Sequence, residues 1–160
     1  MWIPARFRPA NAEFSGNREG RTGNEQQRRR DVPAVLAITS DDRLYYLLLS
    51  ASIDLGWKIA WARTIGRAFE RCCSQPAPLI VYDECLPGFD WREVLPRIAG
   101  FPDQTAVVLA ASRVSEEVWR CVLQRRGYDA VQRTSGSEEW KRQLGFAWLS
   151  IGAARGASAF

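Results

Sequence analysis

Leu79-Ile80-Val81-Tyr82-Asp83-Glu84-Cys85-Leu86-Pro87-Gly88-Phe89-Asp90-Trp91 is the stretch whose reading decides the fold. It opens as an apolar run between prolines (Pro76 and Pro78 stand just before it) and stops abruptly at a carboxylate, Asp83. Such a run reads as a strand buried on both faces. Pro87-Gly88 then forces a turn, after which Trp91, Val94, Leu95 and Ile98 recur at helical spacing. A carboxylate thus stands at the carboxyl end of a buried strand, where open α/β sheets place their ligand sites. A plain loop carboxylate capping the next helix is the competing account.

The same alternation extends in both directions. Upstream, Ala34–Ile38 reads as a buried strand, Thr39-Ser40-Asp41 offers helix-capping side chains, and Leu44, Leu47, Leu48, Ala51 and Leu55 mark one helical face. Gly56 ends that helix. Trp57 to Arg63 alternates as a second strand, and Ile65, Ala68, Phe69 and Cys72 give a shorter helix. Downstream, Ala106–Ala111 is a fourth strand. Ser115 caps a helix with Glu116 and Glu117 in its first turn, where the helix dipole favours acids, and Gly127 closes it. Tyr128 to Arg133 is a fifth strand. Ser137-Glu138-Glu139 opens a last helix with Trp140, Leu144, Trp148 and Ile151 facing inward. Trp91, Trp119, Trp140 and Trp148 all stand at core-compatible positions, so packing is the expected role of the tryptophans.

Five β-α units in strict alternation predict an α/β fold: a flavodoxin-like, doubly wound, five-stranded parallel sheet of order 2-1-3-4-5 with five helices. In that order the ligand crevice opens where the first and third strands diverge, beside Thr39–Asp41 and Asp83.

Composition narrows the chemistry. The 160 residues include no histidine. That excludes Ser-His-Asp and Cys-His catalysis within the chain. Cys72, Cys73, Cys85 and Cys121 lack metal-binding spacing and read as reduced thiols, with at most one of the neighbours Cys72 and Cys73 facing the core. No segment resembles a signal peptide or a membrane span. Residues 1–32 hold most of the net charge of +4, through Arg6, Arg8, Arg18, Arg21, Arg28, Arg29 and Arg30, and read as a disordered basic tail. Arg28-Arg29-Arg30 alone is a weak signal for nucleic acid. The folded domain is expected over 33–152, with 153–160 frayed.

The central stretch resembles the phosphoacceptor segment of a bacterial response-regulator receiver domain. The resemblance covers about residues 34–151. Asp83 matches the phosphoacceptor that ends the third strand, and Pro87 matches the proline four residues on. Ser112 matches the hydroxyl after the fourth strand, and Arg133 takes the place of the lysine after the fifth. Gly127-Tyr128-Asp129 is similar to the family's approach to that cation. Ser112-Arg113 followed by Trp119 and Leu123 resembles a divergent receiver group. The resemblance implies a non-enzymatic, cytoplasmic, single-domain receiver of two-component (phosphorelay) signalling. Its partners would be a sensor histidine kinase or phosphotransfer protein and a downstream effector protein, with a homodimer left open.

It also implies a phosphoryl group on Asp83, Ser112 and Arg133 beside it, and Mg²⁺ held by Asp41, Asp83 and the backbone of Cys85. The chemistry suits these residue types. A carboxylate can attack phosphorus, and the charge on the phosphoryl oxygens calls for cations and hydrogen-bond donors. The departures matter as much. The acidic pair after the first strand is replaced by Thr39 and Ser40, with Asp41 and Asp42 displaced beyond it. Thr134 replaces a proline, and Ala130 stands where the family carries its switch aromatic. These changes carry the alternative reading, a pseudo-receiver that binds proteins without being phosphorylated. A small hydrolase or nucleotide-binding enzyme on this fold would need a phosphate-binding glycine loop or a nucleophile elbow, and neither motif occurs.

Overall fold

The computed structural model describes residues 33–100 and 105–157, with 153–157 as backbone only. The tail expected over 1–32 lies outside the described residues. The chain runs β1 (Val35–Ile38), α1 (Asp42–Asp54), β2 (Ile59–Ala62), α2 (Ile65–Ser74), β3 (Leu79–Asp83), α3 (Trp91–Ala99), β4 (Ala106–Ala111), α4 (Glu116–Gln124), β5 (Asp129–Gln132) and α5 (Ser137–Ala157). The strands form one parallel sheet in the order β2-β1-β3-β4-β5. The fold class expected from the sequence is the one observed.

Side chains alternate across the sheet and divide the interior into two layers. Leu36, Ile38, Ile80, Tyr82, Val107 and Leu109 point to one face, where α2, α3 and α4 cover them with Ala68, Cys72, Trp91, Leu95 and Val122. Val35, Ala37, Leu79, Val81, Val108 and Ala110 point to the other, under Leu44 and Leu48 of α1 and Trp140 and Leu144 of α5. The same parity carries Thr39, Asp83 and Arg133 to the α1–α5 side of the sheet's carboxyl end.

Several local expectations change. Helix α4 is closed by Arg126, which takes the left-handed conformation at φ 66°, and not by Gly127. Gly127 is required for a different reason. A Cβ there would stand 2.4 Å from Val122 Cγ1, 3.0 Å from Val122 O and 3.1 Å from Leu95 Cδ2. Trp91 and Trp140 are buried, but Trp119 is 44% and Trp148 37% exposed. Trp119 donates its indole N–H to Asp129 at 3.1 Å, and Trp148 tilts against Trp57 with ring centroids 4.9 Å apart. Helical spacing puts both at core-compatible positions, but they lie on the flank of the core face, where an amphipathic ring can cover the rim. Cys72 is buried and Cys73 exposed. The backbone of α5 stays helical through Ala157, past the point where fraying is expected, in a segment rich in alanine, the strongest helix former.

Pro96 lies inside α3 and has no N–H for the carbonyl of Arg92. That carbonyl is satisfied from the neighbouring helix: Arg125 Nε donates to it at 3.1 Å. The arginine's other arm donates to Cys121 O at 3.5 Å and reaches Cys121 Sγ at 2.8 Å. Proline and arginine together therefore tie α3 to the end of α4.

Candidate functional site: a carboxylate held by an arginine fork

Asp83 is the last residue of β3, the central strand, and is 1% exposed. A buried carboxylate must be paired and hydrogen-bonded to persist as an anion. Asp83 meets that demand with donors from its own following loop and from two other segments of chain. Its Oδ1 accepts from Arg133 Nε at 2.7 Å and from the backbone N–H of Cys85 at 2.9 Å. Its Oδ2 accepts from Thr39 Oγ1 at 2.7 Å and from Arg133 Nη2 at 3.1 Å. A carboxylate offers about four lone-pair sites, and these donors fill them.

Arg133 follows β5, where its backbone N–H still bonds to Ala111 O at 2.8 Å. Its guanidinium spans both oxygens of Asp83, and Nη2 also donates to Asp41 Oδ2 at 2.9 Å. Burial works to lower its pKa. The bond to Asp83 and the charges of Asp83, Cys85 and Asp41 outweigh that and hold it above its ordinary value. A planar fork against a carboxylate is the strong, directional form of an ion pair.

The Thr39 hydroxyl also accepts from the N–H of Asp41 at 3.0 Å. Asp41 caps α1 by accepting from Arg43 N through Oδ1, leaving Oδ2 to Arg133. Trp61 on the edge strand donates its indole N–H to Thr39 O at 2.8 Å. It stacks on Tyr45 at 3.9 Å between centroids, and the Arg63 guanidinium lies 4.2 Å from its ring centroid. Sequence spacing gave no signal for Trp61 as a support of Thr39, because the contact joins a side chain to a carbonyl of a different strand.

The other sequence-derived residues fall as follows. Ser112 does not reach Asp83; its Oγ lies 3.2 Å from Cys85 Sγ. The N–H of Ser112 donates to Glu84 Oε2 at 2.6 Å, so Glu84 points away from the site, as strand alternation requires. Asp42 pairs with Arg63 at the surface. Ala130 is buried in the layer under α4, with no ring at that position.

The carboxylates do not fit a bound Mg²⁺ as they stand. The ion takes oxygen ligands, and the two carboxylates in reach, Asp41 and Asp83, both face the Arg133 guanidinium. Among the described residues no group of three or more acidic, cysteine or histidine side chains is placed to hold a metal ion.

A buried carboxylate thus ends the central strand of a 2-1-3-4-5 sheet, at its switch point. Solved structures share the fold. NtrX from Brucella abortus superposes with a TM-score of 0.72 at 17% identity over 78% of this chain and 28% of its own. A two-component response regulator from Clostridium difficile gives 0.65 at 17% identity, covering 71% and 93%. A CheY-like receiver domain protein from Methanospirillum hungatei gives 0.62 at 14% identity, covering 75% and 99%. The fold is that of response-regulator receiver domains, reached by a divergent sequence. No protein-family model and no curated protein matches the chain. No helix among the described residues is long and apolar enough to cross a membrane.

Proposed function

We propose that the protein is a receiver of two-component signal transduction that takes a phosphoryl group on Asp83 and passes its state on through protein–protein contacts. The observation that carries this reading is the position of Asp83. It is a buried carboxylate at the sheet's switch point, neutralised by one partly exposed side chain that can withdraw. Rotation of Arg133 away would free one lone-pair site on each oxygen and leave the bonds from Thr39 and Cys85 N to hold the carboxylate in place. A freed oxygen would attack phosphorus in a phosphohistidine of a sensor kinase or phosphotransfer protein. The O–P bond forms, the P–N bond breaks, and its electron pair leaves with the imidazole. The guanidinium would then face phosphoryl oxygens, which it grips as readily as a carboxylate.

Loss of the Asp83–Arg133–Asp41 bridge on phosphorylation would loosen α1 from the end of β5 and alter the adjoining surface. Exposed Trp119 and Leu123 on α4 and Phe146 and Leu149 on α5 supply apolar area there for a downstream effector protein or a second copy of the chain. The cytoplasm is the compartment in which such a kinase partner and free thiols would be found.

The test is incubation with a small phosphodonor, with incorporation read by intact-protein mass. One phosphoryl group is expected on the wild type and none on Asp83→Asn. A folded wild type that takes up none overturns the reading. It would leave a constitutive binding module.

A further inference from the structure

We infer that Arg133 is the resident cation of this site and stands in for the divalent metal that the receiver fold otherwise calls for. The inference deepens the reading of Asp83 given above and rests on its being the functional carboxylate.

Three observations converge on it. Thr39 and Ser40 are neutral where the resemblance calls for the metal-binding acids, and Thr39 spends its hydroxyl as a donor to Asp83. A hydroxyl donating to Oδ2 takes up one of that oxygen's two lone pairs, and Arg133 takes the other. The displaced acid Asp41 is 36% exposed and within reach of a cation, but its free oxygen is turned to Arg133. Finally, the guanidinium touches Asp83 through two nitrogens and Asp41 through one of the same two, so a single planar group neutralises both acids. Asp42, the remaining candidate, is occupied by Arg63.

A lysine could not do this. Its ammonium is a compact point charge that can sit beside a metal ion, whereas the fork covers both edges of the carboxylate. The exchange of lysine for arginine and the loss of the acidic pair are then one change and not two. A second cation in the pocket would face the guanidinium with only two carboxylates to share, and a positive neighbour at contact distance is repulsive. The site is closed to divalent ions for as long as Arg133 is seated.

The experiment is direct binding of Mn²⁺, a paramagnetic substitute for Mg²⁺, followed by the resonance of the free aquo ion. The proteins are the wild type, Asp83→Asn, Arg133→Gln, Arg133→Ala, and Arg133→Gln combined with Asp83→Asn, each checked for folding by near-ultraviolet circular dichroism. The wild type is expected to show no saturable binding at millimolar Mn²⁺. Arg133→Gln is expected to show saturable binding, at least about tenfold tighter than the limit the wild type sets, with the gain lost in the double variant. Arg133→Ala, with no side chain left to reach the site, serves if the glutamine amide itself bonds to Asp83. Saturable wild-type binding that Asp83→Asn abolishes overturns the inference. So does a folded Arg133→Gln and Arg133→Ala pair that gains none. The readout involves no phosphoryl transfer, so a chain that is never phosphorylated would still give the expected metal result.

Discussion

Thr39 and Asp83 lie 44 residues apart in sequence, and the hydroxyl of one donates to the buried carboxylate of the other at 2.7 Å. The pairing of β1 with β3 makes this possible. Ile38 is in register with Tyr82, so the next residue on each strand stands side by side on the same face. Thr39 is thus a working donor at the site, and its neutrality is only half of its effect.

Thr39→Val keeps the shape of the side chain and removes that donor, and with it the acceptor for Asp41 N. Leaving buried polar groups unpaired costs about 1–3 kcal/mol. The urea midpoint should fall accordingly, and Thr39→Ser should recover most of it. A valine variant as stable as wild type would remove Thr39 from the account.

Arg133→Ala leaves a fully buried anion with no cation. Breaking such a pair from one side costs on the order of 3–5 kcal/mol. Arg133→Lys keeps the charge and loses the fork, and should fall between the alanine variant and wild type. Paired with Asp83→Asn in a double-mutant cycle, the arginine substitution should cost much less, because the carboxylate it protects is gone. Additive effects would mean that the two side chains act independently.

Gly127→Ala would drive a methyl into Val122 and Leu95 and should destabilise by about 1–3 kcal/mol, the usual cost of overpacking. One residue earlier the expected sign reverses. Arg126 holds φ 66°, a conformation glycine adopts without penalty, so Arg126→Gly should stabilise by up to about 1 kcal/mol. Thermal unfolding of the two variants side by side checks both signs.

Tyr82 is fully buried, and its hydroxyl has no hydrogen-bond partner. Burial, with the nearby charges of Asp83 and Asp90, pushes its pKa up to about 12. Below about pH 10 the phenol keeps its proton in both states, and its contribution to stability is whole. Between about 10 and 12 the unfolded chain releases the proton while the folded chain holds it, so stability falls as pH rises, by about 2–3 kcal/mol in all. Tyr82→Phe should remove this part of the alkaline slope and be near-neutral at pH 7, since it deletes an unpartnered group. An unchanged slope in the phenylalanine variant would exclude Tyr82 as its source.

The strand order and most element boundaries were legible because buried parallel strands are unbroken apolar runs and the helices carry capping residues: Asp41, Ser115 and the acids of their first turns. Asp83 and Arg133 were legible as strand-end residues of opposite charge. What the sequence did not show is reach. Alternation says which face Arg133 points to, but the span of its guanidinium across Asp83 and Asp41 depends on how far β5 lies from β3 with β4 between them. Ser112 shows the same limit: its place in the chain matches the resemblance, and only the structure shows its hydroxyl against Cys85. Glycine at 127 was read as a helix stop because glycine usually is one, while the space it leaves for Val122 is visible only in three dimensions.

The bridge from Arg133 to Asp41 closes a loop of 92 residues, and the bond to Asp83 one of 50. Closing a long loop forfeits chain entropy before any contact rewards it. A chain in which β1, β3 and β4 have paired before β5 and α5 arrive holds Asp83 without its counter-charge and without the cover of α5. Partly folded chains lack this stabilisation and the complete one has it, so the ion cluster that occupies the site also favours a transition that is more nearly all-or-none.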